Sequence, residues 1–138
     1  MSAATGTVKS LPKGLIFREG DRGDTMYVIR SGTVKITKNM YGVMVRLAEL
    51  GPGDYFGEMS LFEDVPRSAS AIAETPVEAD ILDRNTLAER LAEKPELAMA
   101  LLRGLSGRLR HIDEKVADLV ARGRLPQEDA SALGRHIA

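Results

Sequence analysis

Cysteine is missing from this sequence of 138 residues, which excludes disulfides, zinc–thiolate sites and a cysteine nucleophile. Histidine occurs only twice, at His111 and His136, and neither has a second histidine at metal-ligand spacing. We therefore expect both imidazoles to be solvated rather than part of a metal or acid–base site. The net charge of -1 gives no global field that would attract nucleic acid or an anionic membrane.

Long apolar runs are also missing, since none approaches the roughly 20 residues that span a bilayer. Residues 1–10 are small and polar and lack the apolar stretch of a secretory signal, so we expect a cytoplasmic protein. The composition that is present, 43% apolar and 28% charged residues, is ordinary for a globular chain. The length suits one compact domain with its own core.

The first half of the chain, from Gly14 to about Asp83, is typical of short strands separated by turns. Glycine and aspartate are dense in the turns, where they tolerate the backbone geometry. Several runs alternate apolar and polar residues, as half-buried strands do. The predicted strands are 15–17, 26–29, 34–38, 43–47 and 77–82, with a hairpin closed by 39–42. This pattern favours a barrel or jelly roll over a parallel sheet.

The second half is predicted to be helical. Asn85 can cap a helix over about 85–93. Pro95 suits the first turn of the next helix, because its missing N–H is not needed there. That helix is expected to reach about Arg122, and 123–138 would form a tail or a short last helix.

Apolar residues of the longer helix alternate steps of three and four, which is the a/d pattern of a helix that pairs with another helix. These positions are Leu102, Leu105, Leu109, Ile112, Val116 and Leu119. We expect a homodimer seam here. The alternative is that the helix packs on its own strands, and the two arrangements are compatible at different ends of the helix.

The segment 56–70 carries the clearest chemistry. It is predicted to contain a short helix of about two turns beginning at Gly57, where the missing side chain lets a ligand approach the backbone. The unpaired N–H groups of the helix start and the planar donors of Arg67 both suit phosphate oxygens. Glu58 would repel a bare phosphate, so its presence favours a ligand with an intervening hydroxyl, such as a ribose phosphate. The alternative is a surface salt bridge between Glu58 and Arg67, which would add little stability.

Two blocks of this segment, 56–58 (Phe-Gly-Glu) and 66–69 (Pro-Arg-Ser-Ala), resemble the phosphate-binding cassette of cyclic-nucleotide-binding domains. Such domains occur in bacterial catabolite activator proteins, protein kinase A regulatory subunits and cyclic-nucleotide-gated channels. The spacing between Glu58 and Arg67 is similar to that of the family, and the resemblance extends over about 11–120. The upstream matches are Gly20, Gly23, Asp24, Tyr27, Ile29, Gly32, Val34, Gly51, Pro52, Gly53 and Asp54.

The resemblance implies an eight-stranded antiparallel jelly-roll β-barrel over about 11–83, followed by C-terminal helices over about 85–122. It implies that Glu58 accepts a hydrogen bond from the ribose 2′-hydroxyl and that Arg67 pairs with the cyclic phosphate. Ser68 and the backbone N–H groups of Gly57, Glu58 and Ala69 would add phosphate contacts. The ligand-contacting residues of the cassette would be Gly57, Glu58, Met59, Arg67, Ser68 and Ala69.

The base pocket implied by the resemblance is lined by Ile36 and Leu47. The C-terminal helix is similar to the dimer helix of bacterial activators, in which Arg108 falls at a base-contacting arginine. Ile112 and Asp113 stand where that group has two hydroxyl residues that contact adenine, so this chain departs from the pattern there. Asp113 can accept from adenine N6 or from guanine N1 and N2, and a solvated side chain is the alternative. The resemblance favours cAMP as the ligand, with cGMP as the alternative.

The function that the resemblance implies is that of a non-enzymatic regulatory domain, which binds a cyclic nucleotide without cofactor or metal and transmits binding through its C-terminal helix. Gly104 and Gly107 lie within that helix, each at a cost of up to about 1 kcal/mol relative to alanine. This cost favours a bend or close packing, as in a lid or dimer arm, and exposed, tolerated glycine is the alternative.

Two other functions compete with a sensor. A module of the same fold could have lost its ligand and serve only to dimerise, although the presence of both Glu58 and Arg67 argues against this. A cupin-type enzyme would need clustered histidine and glutamate ligands, and no histidine precedes His111. The sequence ends at Ala138 without room for the helix-turn-helix of bacterial activators, so we expect no direct DNA binding by these residues and an output partner that the sequence does not identify.

Overall fold

The computed structural model describes residues 7–123, which form eight β-strands and three α-helices. The strands are β1 (Thr7–Leu11), β2 (Gly14–Phe17), β3 (Met26–Ser31), β4 (Val34–Met40), β5 (Val43–Leu50), β6 (Tyr55–Phe56), β7 (Ser70–Ala73) and β8 (Val77–Leu82). The helices are α1 (Glu58–Glu63), α2 (Arg84–Glu93) and α3 (Glu96–Ala121). The short last helix predicted over about 127–136 falls outside the described residues.

The strands form two four-stranded antiparallel sheets, one in the order β1-β8-β3-β6 and the other in the order β2-β7-β4-β5. Consecutive strands alternate between the sheets except at the β4–β5 hairpin, which is the connectivity of a jelly roll. The predicted eight-stranded antiparallel jelly roll followed by helices is therefore confirmed. It differs from the prediction in one detail, because no strand pair within residues 7–123 closes the two sheets into a barrel.

The β4–β5 hairpin closes as expected over 39–42. Tyr41 and Gly42 both have positive φ, 56° and 86°, as the two central residues of a type I′ turn do. The Asn39 side chain accepts a hydrogen bond from the Gly42 N–H at 2.8 Å. The turn therefore fixes the register in which Met40 pairs with Val43.

Two boundaries differ from the sequence-based prediction. The first strand begins at Thr7, before the expected start near residue 11, because β1 lies at a sheet edge where polar residues are tolerated. The prediction that Asn85 caps α2 is wrong. The Asp83 carboxylate accepts from the Thr86 N–H at 2.8 Å and from its hydroxyl at 2.7 Å, and these bonds lower the pKa of Asp83. Asn85 already lies inside the first turn, where a capping residue cannot stand.

Alanine supplies three of the seven residues of the buried core cluster, which lets the strands that carry these alanines pack closely. Three alanines, Ala71, Ala73 and Ala79, are each no more than 1% exposed. The core residues are Ile29, Val34, Phe56, Ala71, Ala73, Val77 and Ala79. Because close-packed interiors tolerate little displacement, this core fixes the ends of β2, β3 and β7, from which the loops around segment 56–70 depart.

The chain forms two compact units, one ending at Arg90 and the other beginning at Leu91, so the boundary falls inside α2. In the second unit, α3 is continuous through both of its interior glycines. No helix within residues 7–123 combines the length and the apolarity needed to cross a bilayer.

Gly32 and Gly42 offer a matched test of the packing between strands. Both have φ near 90°, but a Cβ at Gly42 would meet nothing within 4 Å, whereas one at Gly32 would overlap the Pro76 carbonyl oxygen and lie 2.9 Å from Val77. We expect Gly42→Ala to lower the free energy of unfolding by about 1–2 kcal/mol, the cost of a left-handed residue. Gly32→Ala should lower the free energy of unfolding by at least about 1 kcal/mol more than Gly42→Ala does, because of the overlap. Urea unfolding measures both, and equal losses would contradict the packing described here.

Candidate functional site

Gly57 opens the cassette segment in a conformation that requires glycine for two reasons. Its φ is 85°, and a Cβ there would lie 2.8 Å from Arg67 Nη1 and 2.9 Å from the Thr25 carbonyl oxygen. Glu58 is then the first residue of α1, as predicted for a short helix starting at this glycine. The helix ends at Glu63, and the N–H of the following cap residue, Asp64, donates to the Ser60 carbonyl at 3.2 Å.

Arg67 is buried, and its guanidinium binds backbone and hydroxyl oxygens. Nη1 donates to the carbonyls of Thr25 at 2.8 Å and Gly57 at 3.0 Å, and Nη2 donates to the Thr25 hydroxyl at 3.1 Å. Its backbone is held too, because its N–H donates to the Asp21 carbonyl and its carbonyl accepts from the Gly20 N–H, both at 2.8 Å. Arg67 therefore ties the loop between β2 and β3 to the cassette.

An aromatic cluster packs against the guanidinium of Arg67. The Arg67 Cζ lies 4.2 Å from the centroid of the Phe17 ring, a cation–π contact. The Phe17 ring in turn lies 5.8 Å from Phe56 and 5.9 Å from Tyr27, which stack on each other at 4.8 Å. Tyr27 and Phe56 face each other in the β3–β6 pair, so the two sheets together position the surface under Arg67.

Gly23 lies against the opposite part of the guanidinium from Gly57. A Cβ at Gly23 would overlap Nε, Nη2 and Cζ of Arg67. The φ of Gly23 lies outside the left-handed region, so the lack of space, and not the backbone conformation, requires glycine at this position.

Arg67 keeps donors that no hydrogen bond within residues 7–123 uses. A guanidinium has five N–H donors, and the three bonds above leave the Nε–H and one Nη2–H, which share one edge of the group. Nε is buried and has no hydrogen-bond partner among residues 7–123. A buried donor without an acceptor costs about 1–3 kcal/mol. The arrangement therefore favours an acceptor supplied from outside the chain.

The electrostatic setting of Arg67 also favours an anion. Burial lowers the pKa of Arg67 below its usual value, and this effect is partly offset by Tyr27, Asp24, Glu58 and Asp21. The guanidinium remains a cation, since arginine does not lose its proton in proteins. A buried cation is stabilised by any negative charge that reaches it.

Glu58 is buried as well, with 8% of its surface exposed against 5% for Arg67. The alternative that these two residues form a surface salt bridge is therefore wrong. As the acidic residue of the first turn of α1, Glu58 lies where a helix favours negative charge. A buried carboxylate next to a buried guanidinium is the combination expected for a ligand with both a hydroxyl and a phosphate.

The remaining cassette residues lie together, although their ligand contacts stay predictions. The Ser68 hydroxyl donates to the Met59 sulfur at 3.6 Å, and both side chains are exposed. Ala69 is buried just before β7. The structure thus joins the two ends of the cassette segment at the contact between Met59 and Ser68.

The two residues predicted to line the base pocket occupy neighbouring strands. Ile36 on β4 packs partly buried against the core, and Leu47 on β5 is half exposed. Ile36 pairs with Ala48 and Thr37 with Arg46, so Leu47 is the extra residue of a β-bulge. Bulges re-aim side chains, which is compatible with a ligand contact, and the base pocket stays a prediction.

The predicted base contacts from the C-terminal helix lie in α3, in the second compact unit. Arg108 and Asp113 are half-buried and Ile112 is exposed. Their part in base recognition stays a prediction.

Arg84 is a support that the sequence did not reveal. Its Nε donates to the Leu61 carbonyl of α1 at 2.7 Å, so α2 holds the C-terminal end of the cassette helix. A cation at a helix C-terminus also compensates the helix dipole. Nothing in the sequence separates this arginine from solvated ones.

Phe17 and Thr25 were missed for related reasons. Phe17 belongs to an apolar strand, where an aromatic residue is read as core. Thr25 acts mainly through its carbonyl, which every residue has. Gly23 was the one sequence signal that the loop before Thr25 approaches another group closely.

An open pocket of about 360 Å³ flanks the Gly23 loop. It is lined by Arg22, Gly23, Asp24, Asp64, Val65 and Pro66. None of the predicted contact residues lines it, so it is not the predicted ligand pocket. Within residues 7–123, no cluster of three or more histidine or acidic side chains could hold a metal ion.

Comparison with known proteins agrees with this geometry. A "CRP-like cAMP-activated global transcriptional regulator" of Mycobacterium tuberculosis is 42% identical over 111 residues, which is 79% of this chain and 50% of that protein. The cGMP-dependent protein kinase egl-4 of Caenorhabditis briggsae is 38% identical over 81 residues, covering 56% of this chain and 11% of the kinase. The crystal structure of the Thermus thermophilus catabolite activator protein superposes with a TM-score of 0.74 at 29% identity, covering 95% of this chain and 72% of the other.

The chain spans about half the length of the curated bacterial relatives it matches. Residues 8–94 match the family described as "Cyclic nucleotide-binding domain". These residues include both sheets, the cassette and the buried pair. This chain is therefore a member of the cyclic nucleotide-binding domain family.

Proposed function

We propose that this chain is a non-enzymatic regulatory domain that binds a cyclic nucleotide, preferentially cAMP, between Glu58 and Arg67. The observation that carries the proposal is the buried Nε of Arg67, which has no hydrogen-bond partner among residues 7–123. The Nε and Nη2 edge offers two parallel donors, and the two exocyclic oxygens of a cyclic phosphate match such an edge.

Glu58 completes the recognition of the ligand. Glu58 is buried at 8% exposure, its carboxylate oxygens accept hydrogen bonds, and a ribose 2′-hydroxyl is a donor that lies close to the cyclic phosphate. The pair thus recognises a sugar hydroxyl and a phosphate that belong to the same molecule. Residues Ile36 and Leu47, with Arg108, Ile112 and Asp113 of α3, are proposed to contact the base.

The preference for cAMP rests on the relatives. The M. tuberculosis relative is named as cAMP-activated, which supports cAMP, whereas the kinase relative is named as cGMP-dependent. Asp113 can accept hydrogen bonds from either purine base, so cGMP is the alternative ligand. The output partner of the sensor is not identified by the relatives or by the sequence.

Signal transmission is proposed to run through α3, acting as a lid or dimer arm. The helix has 26 residues, and none of its side chains is fully buried. Four apolar residues of the predicted seam, Leu102, Leu109, Ile112 and Leu119, are exposed. Exposed apolar residues at a/d spacing support a homodimer through α3.

A calorimetric titration with cAMP and cGMP tests the proposal, with the molecular mass measured with and without ligand. We expect tighter binding of cAMP and the mass of a dimer. Arg67→Ala should weaken binding roughly tenfold to over a hundredfold, the scale of a charge-assisted hydrogen bond. The exposed Arg18→Ala is the control and should leave the affinity unchanged. No heat with either nucleotide at millimolar concentration would favour a ligand-free dimerisation module instead.

Glu58→Gln tests the ribose assignment. The variant should lose roughly tenfold in affinity for cAMP and little for 2′-deoxy-cAMP, because only the former donates a 2′-hydroxyl. Glu63→Gln, at the exposed end of the same helix, should bind both ligands as the parent chain does. Equal losses for the two ligands would show that Glu58 does not contact the ribose.

Gly23→Ala tests whether the Nε edge of Arg67 is the phosphate contact. The new methyl group would overlap Nε and Nη2, so we expect at least about a tenfold loss in cAMP affinity. Gly51→Ala is the matched control, since a Cβ there would meet nothing within 4 Å, and its affinity should stay within about twofold. Unchanged binding by Gly23→Ala would mean that the phosphate does not use this edge.

A further inference from the structure

The residues that follow Arg67 are held from outside the cassette by the Lys38 side chain and by the backbone N–H of Glu19. The Lys38 Nζ donates to the Ser68 carbonyl at 2.7 Å and to the Glu19 carboxylate at 3.0 Å. The other carboxylate oxygen of Glu19 accepts from the Asn39 N–H at 2.9 Å, and the Glu19 N–H donates to the Ser70 hydroxyl at 2.9 Å. The loop after β2, the strand β4 and the cassette therefore meet at the Lys38–Glu19 pair.

Lys38 determines the orientation of one peptide group. No cis peptide bond occurs among residues 7–123, so the Ser68 carbonyl and the Ala69 N–H lie on opposite sides of a planar trans peptide. Because Lys38 holds the Ser68 carbonyl, the Ala69 N–H points away from Lys38. The flanking residues are fixed separately, Arg67 through its backbone hydrogen bonds and Ser70 through its hydroxyl.

Glu19 keeps the Lys38 ammonium in place. The Asn39 backbone N–H and then the Lys38 side chain lower the pKa of Glu19, so the carboxylate is ionised at neutral pH. The two side chains retain about a third of their exposure, 35% for Lys38 and 30% for Glu19. Ion pairs with this much exposure contribute little to the stability of a fold. An effect on the orientation of the peptide is therefore separable from an effect on folding.

We propose that Lys38 is a positioning residue for phosphate recognition, which aims the Ala69 N–H at one exocyclic oxygen of the ligand with Glu19 as its anchor. This inference rests on the proposed function, because it assumes that a cyclic phosphate binds beside Arg67. Arg67 would provide the charge, and Lys38 would set the direction of a neutral donor that distinguishes the two exocyclic oxygens.

Lys38→Met tests the proposal, since it keeps the length of the side chain and removes its donors. The ligands are cAMP, its two phosphorothioate diastereomers, in which sulfur replaces one or the other exocyclic oxygen, and 2′-deoxy-cAMP. We expect roughly a tenfold loss for cAMP, the scale of one hydrogen bond to a charged group. The affinity ratio of the two diastereomers should move towards one, and the ratio of cAMP to 2′-deoxy-cAMP should not change.

Controls separate positioning from folding. Lys38→Arg retains donors and should restore both the affinity and the diastereomer ratio, and Lys35→Met on the same strand should change neither. Thermal unfolding should show Lys38→Met to be as stable as Lys35→Met. If Lys38→Met lost affinity for all four ligands by the same factor, or kept the parent's diastereomer ratio, the positioning role would be overturned while the proposed function stood. If the parent chain bound none of the four, the proposed function would fail and the positioning role with it.

Discussion

Arg67 carries a buried positive charge, and the surrounding structure follows from that constraint. An uncompensated charge in the interior costs several kcal/mol, so a guanidinium with 5% exposure needs acceptors and a favourable surface. Thr25 and Gly57 supply the acceptors, and the Phe17 ring supplies the surface. Phe17 ends β2 and Thr25 precedes β3, so the geometry of the cassette depends on the packing of both sheets.

The same constraint links the cassette to α2. The α1 helix is held near its start, where the Gly57 carbonyl binds Arg67, and at its end, where the Leu61 carbonyl binds Arg84 of α2. A second arginine of α2, Arg90, reaches Asp80 of β8 at 3.5 Å. A ligand that bound Arg67 and Glu58 more tightly in one arrangement of α1 would therefore bias the position of α2 through Arg84. Only such a difference in affinity between two arrangements can drive a switch.

Much of the fold could be predicted because its signals are local. Alternating apolar residues and glycine-rich turns identified most strands, and the hairpin at 39–42 closed as expected. The edge strand β1 was not among the predicted strands, because edges tolerate polar residues and its sequence carries little apolar signal. The cap of α2 was misplaced because Asp83 and Asn85 are both good caps two residues apart, and only the hydrogen bond to Thr86 decides between them.

The candidate site was predictable where its chemistry lies in charged side chains at a characteristic spacing. Glu58 and Arg67 are such residues, and the structure buries both. The supports escaped prediction because they act through groups without a sequence signature, as Thr25 does through its carbonyl, or through long-range contacts, as Lys38 does with Ser68. A sequence displays neither a carbonyl's direction nor the register that brings strand β4 beside the cassette.

The charge balance around Arg67 restricts which phosphate suits the site. Burial lowers the pKa of Arg67, and Asp24, Glu58 and Asp21 are among the groups that partly offset this effect, so its charge is partly compensated before any ligand arrives. A phosphomonoester brings nearly two negative charges at neutral pH, and the second would face these carboxylates. A cyclic diester brings one charge, and in the proposed binding mode its ribose would bring a hydroxyl for which Glu58 is an acceptor rather than a repelling group. The carboxylates therefore favour the cyclic ligand, because they repel it less than they repel a doubly charged one.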